Sequence, residues 1–283
     1  MSSERFSRHS GLFSEDVQAK ISTSKIGIVG LGGLGSHIVQ GLTYLGVKSY
    51  VLIDDDQIEM SNLNRLIGGA YQDVIQRKYK VDIAHRLILS VNPEAEVIEC
   101  RQNLRSKEAL NLLSDCDFIF GCIDNDGARQ ILMELSSASN IIYFDLGTQI
   151  IKNDDYYDYG GRLVISIPGE YCLLCANELD MAEAKYHLLP KKYQMISENH
   201  GYGLGATNPA PSVAFLNGIL ANLAIQQFVS LIAGSDKLEL HLRYYGSRLK
   251  ISRRVVKRKL DCFTCDFIFK QGSEFNIGQY AIT

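Results

Sequence analysis

The chain has 283 residues, 46% hydrophobic and 22% charged, with 29 Lys and Arg against 32 Asp and Glu for a net charge of −3. That length can bury a sizeable core, and the composition excludes a disordered polymer. The near-neutral balance excludes a bulk nucleic-acid binder, which needs a basic excess.

Strands are predicted at residues 26–29, 50–53, 97–99, 117–120 and 141–144, with helical spacing at 33–45, 77–91 and 128–138 between them. This alternation predicts an α/β fold with a doubly wound, Rossmann-like, mostly parallel sheet. After about residue 150 the pattern changes. Residues 153–159 are acidic and Tyr-rich, and 162–167 alternate as a strand in an antiparallel pairing. Residues 176–211 read as a long loop ending in Asn208-Pro209-Ala210-Pro211. Residues 212–235 carry no charge, which raises a membrane span, but Asn217, Asn222, Gln226 and Gln227 interrupt them. Amides are costly in lipid, so a core or dimer-interface helix is expected and no membrane partner. Residues 238–245 and 248–250 flank Gly246-Ser247 as a hairpin. One domain is expected over 1–283, with a nucleotide-binding half at about 20–150 and a second half at about 151–283.

Gly30-Leu31-Gly32-Gly33-Leu34-Gly35 fits G-x-G-x-x-G, directly after an apolar strand and opening a helix. Glycines let the backbone approach a phosphate, and the helix N-terminus supplies free N–H groups. Asp54 ends the second strand 19 residues after Gly35, where a carboxylate can accept from ribose hydroxyls. This context indicates a nucleotide but does not separate NAD from ATP. Further along the chain stand Asp54-Asp55-Asp56, Ser61-Asn62-Leu63-Asn64-Arg65, Lys80, and Cys122-Ile123-Asp124-Asn125. Singly, Arg65 or Lys80 is an ordinary surface charge and Asp124-Asn125 a helix cap. Placed after successive strands, they suit a triphosphate: the cations neutralise developing charge and Asp124 holds Mg²⁺.

Seven cysteines, with no charged and apolar leader at the start, suggest reduced thiols in a cytoplasmic setting. Cys172-Leu-Leu-Cys175 and Cys262-Phe-Thr-Cys265 form two C-x₂-C pairs, 86 residues apart. Four thiolates in two tight pairs suit a structural Zn²⁺, with a redox C-x-x-C as the rival. Arg253-Arg254 and Lys257-Arg258-Lys259 make a basic run that is either a solvated strand edge or a docking patch for an acidic protein.

Together with the opening Arg5-Phe6-Ser7-Arg8, these motifs resemble the ThiF/MoeB-type adenylyltransferases, the family that includes the adenylation domains of ubiquitin-activating enzymes. The resemblance runs from Arg5 to Cys265, with one departure at Leu66, where the family often has Gln. It implies ATP, with the loop glycines Gly30, Gly32, Gly33 and Gly35 against the phosphates. Asp54 would hold the ribose, with Asp56 of the same Asp-x-Asp motif also cofactor-binding, Asn103 would face the adenine, and Asn62, Arg65 and Lys80 the phosphates, with Asn125 beside Mg²⁺-binding Asp124. Arg8 resembles the family's arginine finger, supplied across a homodimer. The implied reaction is adenylation of the C-terminal glycine of a ubiquitin-like or sulfur-carrier protein. A downstream conjugating or sulfurtransferase protein is a further expected partner. Single-domain members that form a thioester usually carry the nucleophile between the two C-x₂-C pairs, where this chain has no cysteine. It is therefore expected to stop at the acyl adenylate or pass it directly onward. Two alternatives remain: an NAD-dependent oxidoreductase, and a catalytically silent scaffold half of a heterodimer.

Overall fold

A computed structural model describes residues 4–9, 11–152, 156–190, 192–194 and 211–282. In chain order the elements are α1 (Glu15–Thr23), β1 (Lys25–Val29), α2 (Gly33–Leu45), β2 (Ser49–Ile53), α3 (Tyr71–Ile75), α4 (Lys80–Val91), β3 (Glu96–Cys100), α5 (Lys107–Ser114), β4 (Phe118–Gly121) and α6 (Asp126–Ala138). There follow β5 (Ile142–Lys152), β6 (Tyr157–Ser166), α7 (Leu173–Ala176), α8 (Met181–Leu188), α9 (Ala214–Ile232), β7 (His241–Tyr245) and β8 (Lys250–Arg253).

The eight strands among the described residues form one sheet in the order β3-β2-β1-β4-β5-β6-β7-β8. The first five run parallel, with Ile28 opposite Leu52 on one side and Phe120 on the other. From β5 onward every pairing is antiparallel. Successive side chains of β1 divide between the faces, so Ile26 and Ile28 enter one core and Val29 the other. The first core packs under α1, α2, α4 and α9; the second packs under α5 and α6 and takes in Cys172, Cys175, Cys262 and Cys265 together with Cys100 and Cys116. Phe120, Phe144 and Phe228 meet at the centre of the first, and each buried ring contributes roughly 1.5–3 kcal/mol.

The uncharged helix is α9, packed on α2, β5 and β6 through Leu216, Leu220, Ala221, Ala224 and Phe228. It is long and apolar enough to cross a membrane by length and composition. Its buried amides are satisfied within the protein: Glu239 N–H donates to Gln227 Oε1 at 2.7 Å, and Asn217 pairs with Ser212 and Thr148.

Some boundaries move. The helix expected from residue 77 begins at Lys80, because Arg77 is left-handed (φ 51°) and Tyr79 is extended. The strand expected at 141–144 continues to Lys152, its far half held by antiparallel register with β6. Inside the predicted 176–211 loop lies α8; residues 191 and 195–210 fall outside the described residues. The hairpin turn is longer than expected, closing through a left-handed Leu249 (φ 47°). Around and beyond the Cys262–Cys265 pair the sequence predicted no secondary structure, yet short helical turns run from Phe263 to Tyr280.

Candidate active site

Parallel strands end on a common edge, so their loops are laid side by side in strand order. Residues 102–105 after β3, Asp54 to Asp56 after β2, the glycine loop after β1 and 122–125 after β4 all line one cavity. Its volume is about 1300 Å³, and it continues over β5 and β6 to Arg243, Tyr244 and Tyr245 of β7.

The loop leaves β1 through Gly30 at φ +84°, where a Cβ would stand 2.6 Å from the Cys122 carbonyl oxygen. A Cβ at Gly35 would collide with the Gly30 carbonyl, so the loop folds flat only with glycine at both positions. α2 starts from Gly32 with no side chain capping it, which leaves its first amides available to an anion. Asp54 is 9% exposed and accepts from Leu31 N–H at 2.6 Å and Asp56 N–H at 2.9 Å. Burial raises its carboxyl above the ordinary value, opposed by Lys80 and those two amides.

Lys80 is the first residue of α4, and its Nζ lies 2.6 Å from Asp56 and 3.8 Å from Asp54. Arg65 lays its stem against Gly33, and its Nη1 donates to the Ser61 carbonyl at 2.7 Å and Asn64 Oδ1 at 3.0 Å. Asp124 lines the cavity wall, and Asn125 caps α6, accepting from Ala128 N–H at 2.8 Å. Asn103 also lines the cavity and donates to Asp55 at 3.2 Å. Gly30, Gly32, Gly33, Asp54, Asp56, Arg65, Lys80, Asn103, Asp124 and Asn125 are thus brought together.

Three expected residues stand elsewhere. Gly35 lies behind the loop, against the Gly30 carbonyl. Asn62 turns its amide oxygen to Glu59 N–H at 3.1 Å, closing a short 3₁₀ turn. Arg8 is exposed on the opening turn, near Arg5, whose Nη2 donates to Thr43 O at 3.0 Å close to the far end of α2. Thirteen helical residues, roughly 20 Å, separate that end from the glycine loop.

Among the described residues one acidic cluster could hold a cation. Asp54, Asp55 and Asp56 bring carboxylate oxygens within 4.8 Å of one another, but Lys80 already pairs with two of them. Asp124, the carboxylate expected to hold Mg²⁺, stands in the cavity wall apart from that cluster. The cysteines converge as expected: Cys172, Cys175, Cys262 and Cys265 are all buried, with Sγ–Sγ separations of 3.6 and 3.8 Å. A tetrahedron with metal–sulfur bonds of about 2.3 Å has edges of roughly 3.8 Å, so this donor set fits Zn²⁺. Lys259 N–H donates to Cys175 Sγ at 3.4 Å, the kind of outer support a metal thiolate takes.

Sequence reasoning missed a chain of alternating charges on the cavity floor. Asp145 in β5 is fully buried, accepts from Tyr143 Oη at 2.8 Å, and lies 3.1 Å from Arg162 and 3.4 Å from Arg129. Arg129 also binds Asp126 at 2.7 Å. Arg162 reaches Glu178 at 3.4 Å, and Glu178 holds His241 at 3.1 Å and Arg243. Burial alone would raise the Glu178 carboxyl; His241, Arg243 and Arg162 hold it down at about 2. The available signal was Asp145 standing in the apolar run 141–146, because a charge there must find partners.

Burial raises the thiols of Cys100, Cys116 and Cys122, Cys116 to about 12. None is poised as a thiolate nucleophile.

A model of the ThiF family matches residues 6–262. The sulfur carrier protein ThiS adenylyltransferase of Escherichia coli (strain K12) is 30% identical over 153 residues, 54% of this chain and 57% of that protein. Ubiquitin-like modifier-activating enzyme 5 of Xenopus laevis is 27% identical over 275 residues, 93% of this chain and 64% of that protein. The chain thus spans less than two thirds of the length of these curated relatives. Among solved structures, Escherichia coli MccB with ATP superposes with a TM-score of 0.72 at 22% identity, covering 93% of this chain and 75% of that one. The microcin C7 biosynthetic enzyme MccB with N-formylated MccA gives 0.73 at 23% identity, covering 92% and 74%. At these identities the structural likeness speaks to the fold.

Proposed function

The chain belongs to the ThiF family, and from that premise we propose that it is a Mg²⁺-ATP-dependent activating enzyme. It adenylates the C-terminal carboxylate, with glycine as the terminal residue, of a ubiquitin-like or sulfur-carrier protein. The observation that carries this reading is the convergence of Arg65, Lys80 and Asp124 on the glycine-loop cavity, which then runs on across β5 and β6. An NAD-dependent oxidoreductase would use the loop and Asp54 but leave those three side chains without a task. A silent scaffold would have no need of them either.

In this reading ATP lies along the strand edge, ribose at Asp54 and phosphates over α2's first amides. The substrate carboxylate attacks the α-phosphorus, the bond to the bridging oxygen breaks, and pyrophosphate leaves with its electron pair. The nucleophile is already an anion, so no general base is required, and catalysis rests on positioning and charge. Arg65 and Lys80 meet the charge that builds on the phosphates. Asp124, with Asn125 beside it, is the residue that would hold Mg²⁺, which supplies further charge neutralisation when bound. The relatives' names support the substrate class: one acts on a sulfur carrier protein and another activates a ubiquitin-like modifier.

The tail would lie over Gly147, Gly160 and Gly161, and the exposed basic run from Arg253 to Lys259 would face the body of the carrier. The desolvated thiols of Cys100, Cys116 and Cys122 argue against a thioester on this chain. The product would then pass directly to a conjugating or sulfurtransferase partner. Zn²⁺ in the Cys172, Cys175, Cys262, Cys265 cluster would be structural. A homodimer and a cytoplasmic setting complete the reading.

The test is ATP–pyrophosphate exchange with Mg²⁺ against small proteins ending in Gly-Gly, with an NAD titration alongside. Exchange that depends on one protein's terminal carboxylate supports adenylation. NAD binding without ATP binding would overturn it.

A further inference from the structure

From the second cysteine pair onward the chain turns back across α6 toward the loop after β3. Thr264 carbonyl accepts from Ser137 Oγ at 2.9 Å, which starts this segment on the helix. At its other end, Tyr280 Oη donates to Glu134 Oε2 at 2.6 Å and accepts from Gln130 Nε2 at 3.2 Å. Glu134 is 3% exposed, so a carboxylate buried in the middle of α6 takes its hydrogen bonds from this segment and from Gln130. Arg105 Nε donates to the Tyr280 carbonyl at 3.0 Å, and Ile282 N–H donates to the Arg105 carbonyl at 2.9 Å. Residues 277–282 thus form a strap tying α6 to the 101–105 loop.

The strap ends in the cavity wall, where Ile282 joins Gln102, Asn103, Leu104 and Arg105. Sheet order fixes the order of the loops along this edge. Moving from β4 to β3 along the edge, one passes Asp124, the glycine loop, Asp54 and then this loop. If the phosphates lie over the glycine loop and the ribose at Asp54, the base lies between Leu104 and Ile282. Leu104 is buried and Ile282 is half exposed, an aliphatic side chain with one face open to the cavity.

We propose that the 277–282 strap completes the base-binding pocket, with Ile282 packing against the nucleobase and Tyr280, Glu134 and Arg105 positioning it. This rests on the nucleotide reading above and adds the element that would make binding depend on the base as well as the phosphates.

The test is calorimetric titration of ATP into the full chain and into Ile282→Asp and Ile282→Leu variants, with melting temperatures measured in parallel. Ile282→Asp is expected to weaken ATP about tenfold with no change in melting temperature, and Ile282→Leu to bind within about twofold of the original, since what is lost is the burial of one aliphatic face. Amide exchange supplies the second readout: ATP is expected to slow exchange at residues 280–282 of the unmodified chain. An Ile282→Asp variant that binds ATP as tightly as the original, or no ATP-dependent protection of the strap, overturns the proposal and leaves the nucleotide site standing. An unmodified chain that does not bind ATP overturns both.

Discussion

Lys80 and Asp124 enter the cavity from opposite sides of the glycine loop, one at the first residue of α4 and the other just before the cap of α6. If both act on the developing charge rather than on ground-state binding, Lys80→Ala and Asp124→Ala should lower pyrophosphate exchange by about 10²–10³-fold. ATP affinity, measured by calorimetry, should fall much less; exchange at the original rate in either variant would refute the assignment. Spacing after successive strands made these two legible in the sequence. The Arg129–Asp145–Arg162–Glu178–Arg243 chain was not, because its members come from α6, β5, β6, the turn after α7 and β7. The antiparallel register of β5, β6 and β7 brings Asp145, Arg162 and Arg243 together, and the packing of α6 and of the turn after α7 adds Arg129 and Glu178. Glu178 gives that network a measurable signature. Its folded pKa is depressed from 4.5 to about 2, so its stabilisation is present above the unfolded value and is lost as pH falls from about 4.5 toward 2. Glu178→Gln should therefore lower the melting temperature at neutral pH, with a gap from the original chain that narrows across that acid window. A gap independent of pH would mean that packing, not charge, is what Glu178 contributes.

Among the elements, some with a local cause were disclosed by the sequence and some were not: α1 and α5 open on the Ser14 and Ser106 caps and were not predicted. α2 is bounded by Gly32 at its start and a left-handed Gly46 (φ 96°) at its end, both visible as residues. The extension of β5 to Lys152 and the turns beyond Cys262 have no such markers; pairing with β6 creates the first, and the cysteine cluster and α6 hold the second. The cluster joins two parts of the chain whose cysteines lie 90 positions apart, Cys172 against Cys262 and Cys175 against Cys265. Binding Zn²⁺ there should therefore stabilise the second half more than the first. One Zn²⁺ per chain by elemental analysis is expected, and removal by a strong chelator should lower the melting temperature and speed amide exchange in 259–282 before 25–121. A chain without bound metal, melting unchanged with chelator, would leave the four thiols as packing alone.

At the scale of the whole molecule, Arg8 and α9 bear on one question. Arg5 and Phe6 meet the far end of α2, roughly 20 Å along the helix from the glycine loop, and the exposed Arg8 that follows them is not among the residues lining the cavity. α9 buries one side and presents Phe215, Gly218, Ile219, Asn222, Leu223 and Gln226 on another, a shallow uncharged groove with Phe215 58% exposed. A two-fold pairing through such a face is self-complementary and would let each chain lend a residue to the other. Complementation tests this directly. Arg8→Ala and Lys80→Ala chains should each be poor in pyrophosphate exchange. After mixing with subunit exchange, the heterodimer contains one cavity with its own Lys80 and a partner-derived arginine. Random pairing then restores about one cavity in four relative to the original chain, since the other cavities lack one residue or both. Leu223→Asp, which places a charge in the groove, should abolish that recovery and shift the chain to monomer in sedimentation. Mixed activity equal to the average of the separate variants would place Arg8 in a role within its own chain. Recovery that survives Leu223→Asp would move the interface away from α9.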